Sequence, residues 1–573
     1  MSTGMILLLG VLLLWGVHHG RDWRSQRRRD NAWLDLLAPG LVALRIWLGK
    51  ATALFAFPAA PYDDRLFLRQ ATSLLQGEWL GAYDQLTLAK GPLYSLFWAA
   101  SSWAGLPLTS AQLLVYALGC WLLVVALRQQ ERGLRAWAQL SILVLLLFCP
   151  VLQDTEYLHR AWRQPLWVGV CLVVVATALG LLLNRARSRR ASWAWAAGLG
   201  ASLAVAWLTR EEAIWLAAPV GLALLLHVLD LGRGGQPWRQ ALVPLLGLAL
   251  APLLVAGVAL QNLRHYGFFG IVEFRDSSFV AAYGALSRIA PHDPQRRIPV
   301  TRAARQRIEA VSPSFAALKP ELEGGIGAIF MRVHEDKTGV PASEGEIGAW
   351  TMWALRDAAW NTGQGRTHAE LSRFYRRLAD EVNAAADAGR LPAVAPRATM
   401  RPVWDWAVHG PRLPSSTGAA LYQVFNYQVG LAPVPSQGSA ADLAWVEGLA
   451  GEPVTPADPA AAAASGRPAR RSFWVFAAGT YQHLLRWPVL AAALLLPLAA
   501  LAGLRRREWA TPANAALVAL SAVAANVAVV VAVDVSSWDA INIGYLGPSL
   551  ALGLVPLATA LAWLDARIVA KSG

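Results

Sequence analysis

Charge is what this chain has least of. Only 15% of its 573 residues are Asp, Glu, Lys or Arg, against about a quarter in an average soluble domain. With 55% hydrophobic residues beside it, that shortage excludes an ordinary soluble enzyme and a disordered protein. Cysteine is nearly missing. Cys120, Cys149 and Cys171 lie in apolar runs with no C-x-x-C. They support neither a disulfide framework nor a cysteine zinc site, and each reads as a buried thiol acting as a small hydrophobe. There is no H-E-x-x-H, no P-loop and no G-x-S-x-G, and the ten histidines show no zinc-ligand spacing.

What is abundant points to a bilayer. Mean hydropathy is +0.38, and the chain carries 27 Trp, a residue enriched at membrane interfaces. Net charge is 51 − 37 = +14. In a soluble protein that excess would suggest nucleic acid. In a membrane protein it reflects positive cytoplasmic loops and headgroup contacts, so nucleic-acid binding is set aside.

A spanning helix needs about 20 mostly apolar residues. Such runs are expected at 36–58, 110–127, 136–151, 165–184, 192–208, 213–229, 241–260, 484–504, 512–533 and 543–565. A short run at 6–17 is followed by Arg21, Arg24, Arg27, Arg28 and Arg29, with no A-x-A-like cleavage site. It reads as an uncleaved helix with its N-terminus outside. Basic clusters at 21–29, Arg128/Arg132/Arg135, Arg185/Arg187/Arg189/Arg190, Arg233/Arg239, Arg505/Arg506/Arg507 and Arg567/Lys571 fit successive cytoplasmic loops. The opposite loops carry Asp63/Asp64, Asp154/Glu156, Glu211/Glu212 and Asp534/Asp539.

The expected fold is therefore an all-α polytopic membrane protein with about 11 transmembrane helices and a large periplasmic insert. Residues 1–260 form an N-terminal membrane domain whose first outer loop is 59–109. Within it, 65–76 has amphipathic helical spacing, and 93–107 is a short apolar helix of juxtamembrane or re-entrant type. Residues 261–480 are polar and large enough for a domain. Their segment 455–471 (TPADPAAAAASGRPARR) reads as a low-complexity linker, and Ser436, in a Pro/Gly-rich stretch, is expected at the surface. Residues 481–573 supply the C-terminal helices.

The sharpest feature is Tyr62-Asp63-Asp64-Arg65 on the outer side. Adjacent carboxylates at a membrane surface serve as a general base and its electrostatic partner. Equally, they cap the helix that follows. Lys90, in Leu88-Ala89-Lys90-Gly91-Pro92-Leu93-Tyr94, either holds a lipid phosphate as a point charge or snorkels from a helix end. His159, Arg160 and Arg163, interleaved with aromatics in 157–163, suit a phosphate or sugar site or an interfacial belt. Arg210 in Thr209-Arg210-Glu211-Glu212 reaches phosphate or pairs locally with Glu. Asn262-Leu263-Arg264-His265-Tyr266 reads as a polar end to a span, or faces the membrane. A divalent metal held by carboxylates alone stays open; no other cofactor is called for.

Together these motifs resemble the GT-C superfamily of polyprenyl-phosphate-sugar-dependent glycosyltransferases, which includes the protein mannosyltransferases, the lipid A aminoarabinose transferase and rhizobial galacturonosyltransferases. Those proteins carry an acidic pair in the first outer loop, an amphipathic helix ending near Gly, and a Lys/His-x-Pro-Leu-Tyr-like element. Here the order is Asp63-Asp64, the 65–76 helix ending in Gly77-Glu78-Trp79, and Lys90-x-Pro92-Leu93-Tyr94. The run Ser536 to Pro548 (SSWDAINIGYLGP) resembles the family's closing R-Y-L-x-P loop, with Gly544 where Arg is common. The acidic pair is Asp-Asp where Asp-Glu is usual, and 261–480 is not covered by the resemblance.

The resemblance implies a bacterial inner-membrane enzyme with a periplasmic active site. It would take a polyprenyl-phosphate-linked hexosyl or pentosyl donor and a periplasmic glycan, lipid or protein acceptor. Asp63 would be the catalytic base, Asp64 its neighbour, and Lys90 the donor-phosphate ligand, with Arg160, Arg163, His159 and Arg210 as further candidates. Two rival classes are a transporter or flippase of lipid-linked sugars, and a membrane-anchored envelope assembly protein.

Overall fold

The computed structural model describes residues 26–129, 134–184, 189–233 and 242–572. The expected helix at 6–17, and Arg21, Arg24, Arg132, Arg185, Arg187 and Arg239, lie outside the described residues. The described residues form helices joined by loops, with four isolated β-bridges and no longer strand pairing among them. Nine of the described helical runs are long and apolar enough to cross a membrane, and Leu37–Gly49 is a shorter apolar helix. Against the expected 11, the described residues thus hold nine such runs and this shorter helix.

The first ten helices are α1 (Gln26–Gly49), α2 (Asp64–Leu75), α3 (Leu93–Trp103), α4 (Leu108–Arg128), α5 (Ala136–Leu147), α6 (Gln164–Leu183), α7 (Arg189–Thr209), α8 (Ala217–Arg233), α9 (Leu242–Leu248) and α10 (Leu250–Tyr266). Helix α6 is apolar all round and buried along nearly its whole length, as a helix without a polar face must be. It lies directly against α4, where a Cβ on Gly169 would stand 2.9 Å from the Tyr116 amide nitrogen. Small residues of this kind let two spans approach closely.

Three boundaries differ from expectation. The run 36–58 does not continue as one helix: α1 stops at Gly49. Beyond it, Leu54 bridges Val454 and Phe55 bridges Arg160. An apolar run has the same composition in a buried extended segment as in a helix, so hydropathy alone does not separate them. Pro58 and Pro61 also disfavour continuing the helix. The run 543–565 divides into Ile543–Leu552 and Val555–Ser572. The run 484–504 is part of a 38-residue helical run, Pro468–Arg505, with a π-turn at Thr480–Leu485.

Residues 261–480 pack helix on helix. Ser277–Ser287 lies against His368–Asp387, with Phe279 edge-on to Tyr375 at 4.9 Å. The insert is fastened to the first loop by Glu273, which pairs with Arg356 and His368 and accepts from the Tyr83 hydroxyl (2.6 Å). Trp445 donates to Thr72 (3.0 Å), and Arg356 to the Gln85 carbonyl (2.5 Å). The polar end of α10 also serves this junction. Asn262 accepts from the Trp79 indole (2.8 Å), and Tyr266 donates to Gly81 (2.8 Å).

The stretch 455–471 is more ordered than its composition suggests. Thr455 is buried, Pro459–Ala464 is helical, and the Arg467 amide donates to Ala51 (2.8 Å). Ser436 is not at the surface; it is buried, its hydroxyl accepting from the Ala56 amide (3.1 Å). The pattern of exposure is checkable. In detergent-solubilised native protein, Ser343→Cys, on an exposed turn, should react promptly with a maleimide. Ser436→Cys should react only after denaturation; equal labelling of both would contradict the packing of 434–456.

Candidate active site

Helix α2 buries Leu66, Phe67, Leu68 and Ala71, which turns its N-terminus toward the interior. Gln70 then links two loops, donating to the Thr87 carbonyl (2.7 Å) and accepting from Ser95 (2.7 Å). The turn before Lys90 is shaped by Asp84, whose carboxylate accepts from the amides of Leu86 (2.8 Å) and Thr87 (3.0 Å). Lys90 is thereby presented to Asp63. Gly91 is required here by contact: a Cβ would sit 2.2 Å from the Leu208 carbonyl oxygen at the end of α7.

The two aspartates do different things. Asp63 stands at the N-cap position of α2 yet makes no side-chain cap bond. It pairs with Lys90, and its side chain remains 33% exposed. Asp64 is fully buried and takes Arg160 through Nε (3.0 Å) and Nη2 (2.9 Å), and the Phe57 amide at 2.6 Å. Arg160 is itself boxed by aromatics, its guanidinium 4.0 Å from the Trp162 ring centroid. The capping alternative for this pair is not what the structure shows, and neither is a snorkelling Lys90.

Two further pairs complete the cluster. Arg163 donates to Glu211 (3.3 Å) and to the Thr209 carbonyl (3.1 Å). Glu211 also accepts from the Gly91 amide (3.2 Å). Arg210 pairs with Glu212 (3.1 Å), the local arrangement, and lies 5.2 Å from the ring of Tyr545. Four cations therefore face four carboxylates, a formal sum of 4 − 4 = 0. Buried charge has to be paired in this way, because an uncompensated ion is costly away from water.

Ionisation follows the pairing. Burial opposes the charge on Asp63, but Lys90, Arg160 and Arg163 outweigh it and hold the carboxyl at about 2. Burial pushes Lys90 below its ordinary range, with Asp63 opposing. Burial raises Asp64, with Arg160 opposing. Among the described residues, no three His, Cys, Asp or Glu side chains converge on a metal-binding position.

Of the expected residues, Asp63, Asp64, Lys90, Arg160, Arg163 and Arg210 come together. His159 does not. Its ring is buried and bonded to the Thr52 carbonyl (3.2 Å), and burial lowers it to about 4, so it is neutral. The reason is register: Phe55 bridges the chain at Arg160, sending neighbouring side chains to opposite sides. Spacing alone gives Glu211 and Glu212 only as local partners, and gives no sign of Trp353 of the insert, 5.8 Å from the Lys90 ammonium. The Tyr545 signal was available in G-Y-L-G-P.

A pH test separates structural His159 from a phosphate ligand. With an ordinary value near 6.5 unfolded and about 4 folded, the neutral ring contributes fully above about pH 6.5. That contribution is lost as pH falls toward 4. Between pH 7 and 5 the loss is about 2 kcal/mol. Thermal unfolding in detergent should show wild type losing more stability over that interval than His159→Gln. Identical pH dependence would contradict the buried neutral ring.

No protein-family model matches the chain, and no curated protein matches it. Among solved structures, ArnT from Cupriavidus metallidurans bound to undecaprenyl phosphate aligns over 92% of this chain and 78% of that chain, at 16% identity and a TM-score of 0.31. The apo state of the same protein aligns over the same shares, at 17% identity and a TM-score of 0.31.

Proposed function

We propose that this chain is a GT-C-type membrane glycosyltransferase that moves a sugar from a polyprenyl-phosphate carrier to an acceptor on the periplasmic side. The observation that carries the reading is the Lys90–Asp63 pair: a partly exposed carboxylate held by a buried ammonium in a charge-balanced cluster. A groove of about 540 Å3 supports it. Its walls are apolar residues of α7, the turn into α8, α8 itself and α10, and it suits a prenyl chain arriving from the bilayer.

The chemistry follows from the pairing. A lipid phosphate takes Lys90 from Asp63, and the freed carboxylate becomes a stronger base. Asp63 then accepts the proton of the acceptor nucleophile as that nucleophile bonds to the anomeric carbon. The bond from that carbon to the phosphate oxygen breaks, its electron pair stays on the phosphate, and configuration inverts. Lys90 and Arg163 stabilise the charge growing on the leaving group. Asp64, buried under Arg160, keeps the loop in place and does not reach the substrate.

Three measurements test this. Incubation of purified protein with undecaprenyl-phosphate sugars and membrane acceptors should give transfer. Asp63→Asn should reduce it about 10²–10⁴-fold, the usual share of a general base. Because Asp63 competes with phosphate for Lys90, Asp63→Asn should bind sugar-free undecaprenyl phosphate more tightly than wild type. Lys90→Ala should bind it about 10–150-fold more weakly, the worth of one charge-assisted bond. Unchanged or weaker binding by Asp63→Asn would place the phosphate elsewhere. For sidedness, Ser343→Cys should react with an impermeant thiol reagent in intact spheroplasts; labelling only after lysis would put the insert in the cytoplasm.

A further inference from the structure

A second cavity, of about 220 Å3, lies where the insert begins, and of the four ion pairs it touches only Glu211. Trp207, Phe269, Arg275, Asp276 and Ser277 contribute to its wall, and Glu211 closes one side. Its position is set by two shared residues. Trp207 also lines the apolar groove, so groove and cavity meet at one indole. Glu211 belongs to the ion-pair cluster, accepting from Arg163 and the Gly91 amide. The cavity therefore stands between a lipid-facing slot and the cations.

Its lining combines aromatic faces with hydrogen-bond groups that the protein leaves unspent. Phe269 is 63% exposed although it is a large apolar ring. Arg275 stacks 4.6 Å from the Trp207 centroid and gives Nη2 to the Glu211 carbonyl (2.5 Å). Its other guanidinium N–H groups have no hydrogen-bond partner among the described residues. Asp276 uses Oδ2 on the Ser278 amide (2.9 Å), and its Oδ1 and the Ser277 hydroxyl have none among them either. Exposed rings beside free donors and free acceptors match a molecule with apolar C–H faces and a rim of hydroxyls. A prenyl chain would leave the polar groups unpaired, at a cost, and a bare phosphate would leave the rings without a partner.

We propose that this cavity is a carbohydrate subsite that seats the sugar ring of the lipid-linked donor. The inference rests on the transferase reading and adds the residues that select the sugar. Continuity with the groove through Trp207 favours the donor over the acceptor, because an amphiphile lying in the groove would place its headgroup at that indole. Arg275 and Phe269 are then specificity-determining residues outside the ion-pair cluster.

The test compares two lipids on the full-length protein: sugar-free undecaprenyl phosphate, and undecaprenyl phosphates carrying single pentoses or hexoses. Phe269→Ala and Arg275→Gln both alter exposed side chains. For the sugar that wild type binds best, each should weaken binding about tenfold, the lower range for a bond to a charged group at Arg275 and about the worth of a ring contact at Phe269. Binding of the sugar-free lipid should stay within about twofold. Equal losses for both lipids would overturn the proposal and give the cavity to phosphate or chain. No loss for either would overturn it too. Retained lipid binding with a raised acceptor KM would move the ring to the acceptor and overturn the donor assignment. A wild-type protein that binds neither lipid would bring down the transferase reading itself, a result distinct from the rest.

Discussion

Asp64 and Arg160 form the contact on which the outer half of the molecule depends. Asp64 is fully buried and the Arg160 side chain is only 11% exposed, so the carboxylate needs the guanidinium, and removing one partner from such a pair typically costs about 3–5 kcal/mol. Their pairing fixes more than two side chains. Asp64 also takes the Phe57 amide, and Phe55 bridges the chain at Arg160. One residue earlier, Leu54 bridges Val454 of the insert. The first loop, the loop before α6 and the far end of the insert are thereby laced together at one buried ion pair.

Adjacent residues of identical type have thus been given separate duties by depth alone. Asp64 sits where no substrate can approach, and its charge is spent on architecture. Asp63, one residue earlier, faces outward beside a lysine. Sequence has no way to express this difference, because the letters are the same. It arises only when the amphipathic face of α2 fixes which carboxylate points inward.

Much of the membrane part was legible. Apolar runs of spanning length became helices because a backbone inside a bilayer must satisfy its own hydrogen bonds. The acidic pair, Lys90, Arg160, Arg163 and Arg210 were visible as charges too expensive to place near lipid without purpose. What escaped were features decided by distant contacts. The segment 50–58 looked helical until its bridges to 160 and 454 were seen. His159 looked like Arg160's companion, yet register turns it the other way. The linker-like composition of 455–471 hid a segment held by Ala51 and Leu54. The role of Glu211 depends on Gly91, 120 residues away, a distance over which local pattern is silent.

The long helical run from Pro468 to Arg505 has a mechanical consequence. At 1.5 Å per residue, its 38 residues extend about 57 Å, while the hydrocarbon layer is only about 30 Å thick. The run therefore exceeds the lipid-tail layer by nearly half its own length, and must tilt or extend beyond it. Its base is bolted at the π-turn, where Tyr481 donates to Leu145 (2.5 Å) and Arg486 to Asn426 (3.1 Å). One continuous backbone thus ties the end of the insert to Leu145 and Asn426. Deleting a full turn ahead of the π-turn would shorten that tie by about 5.4 Å.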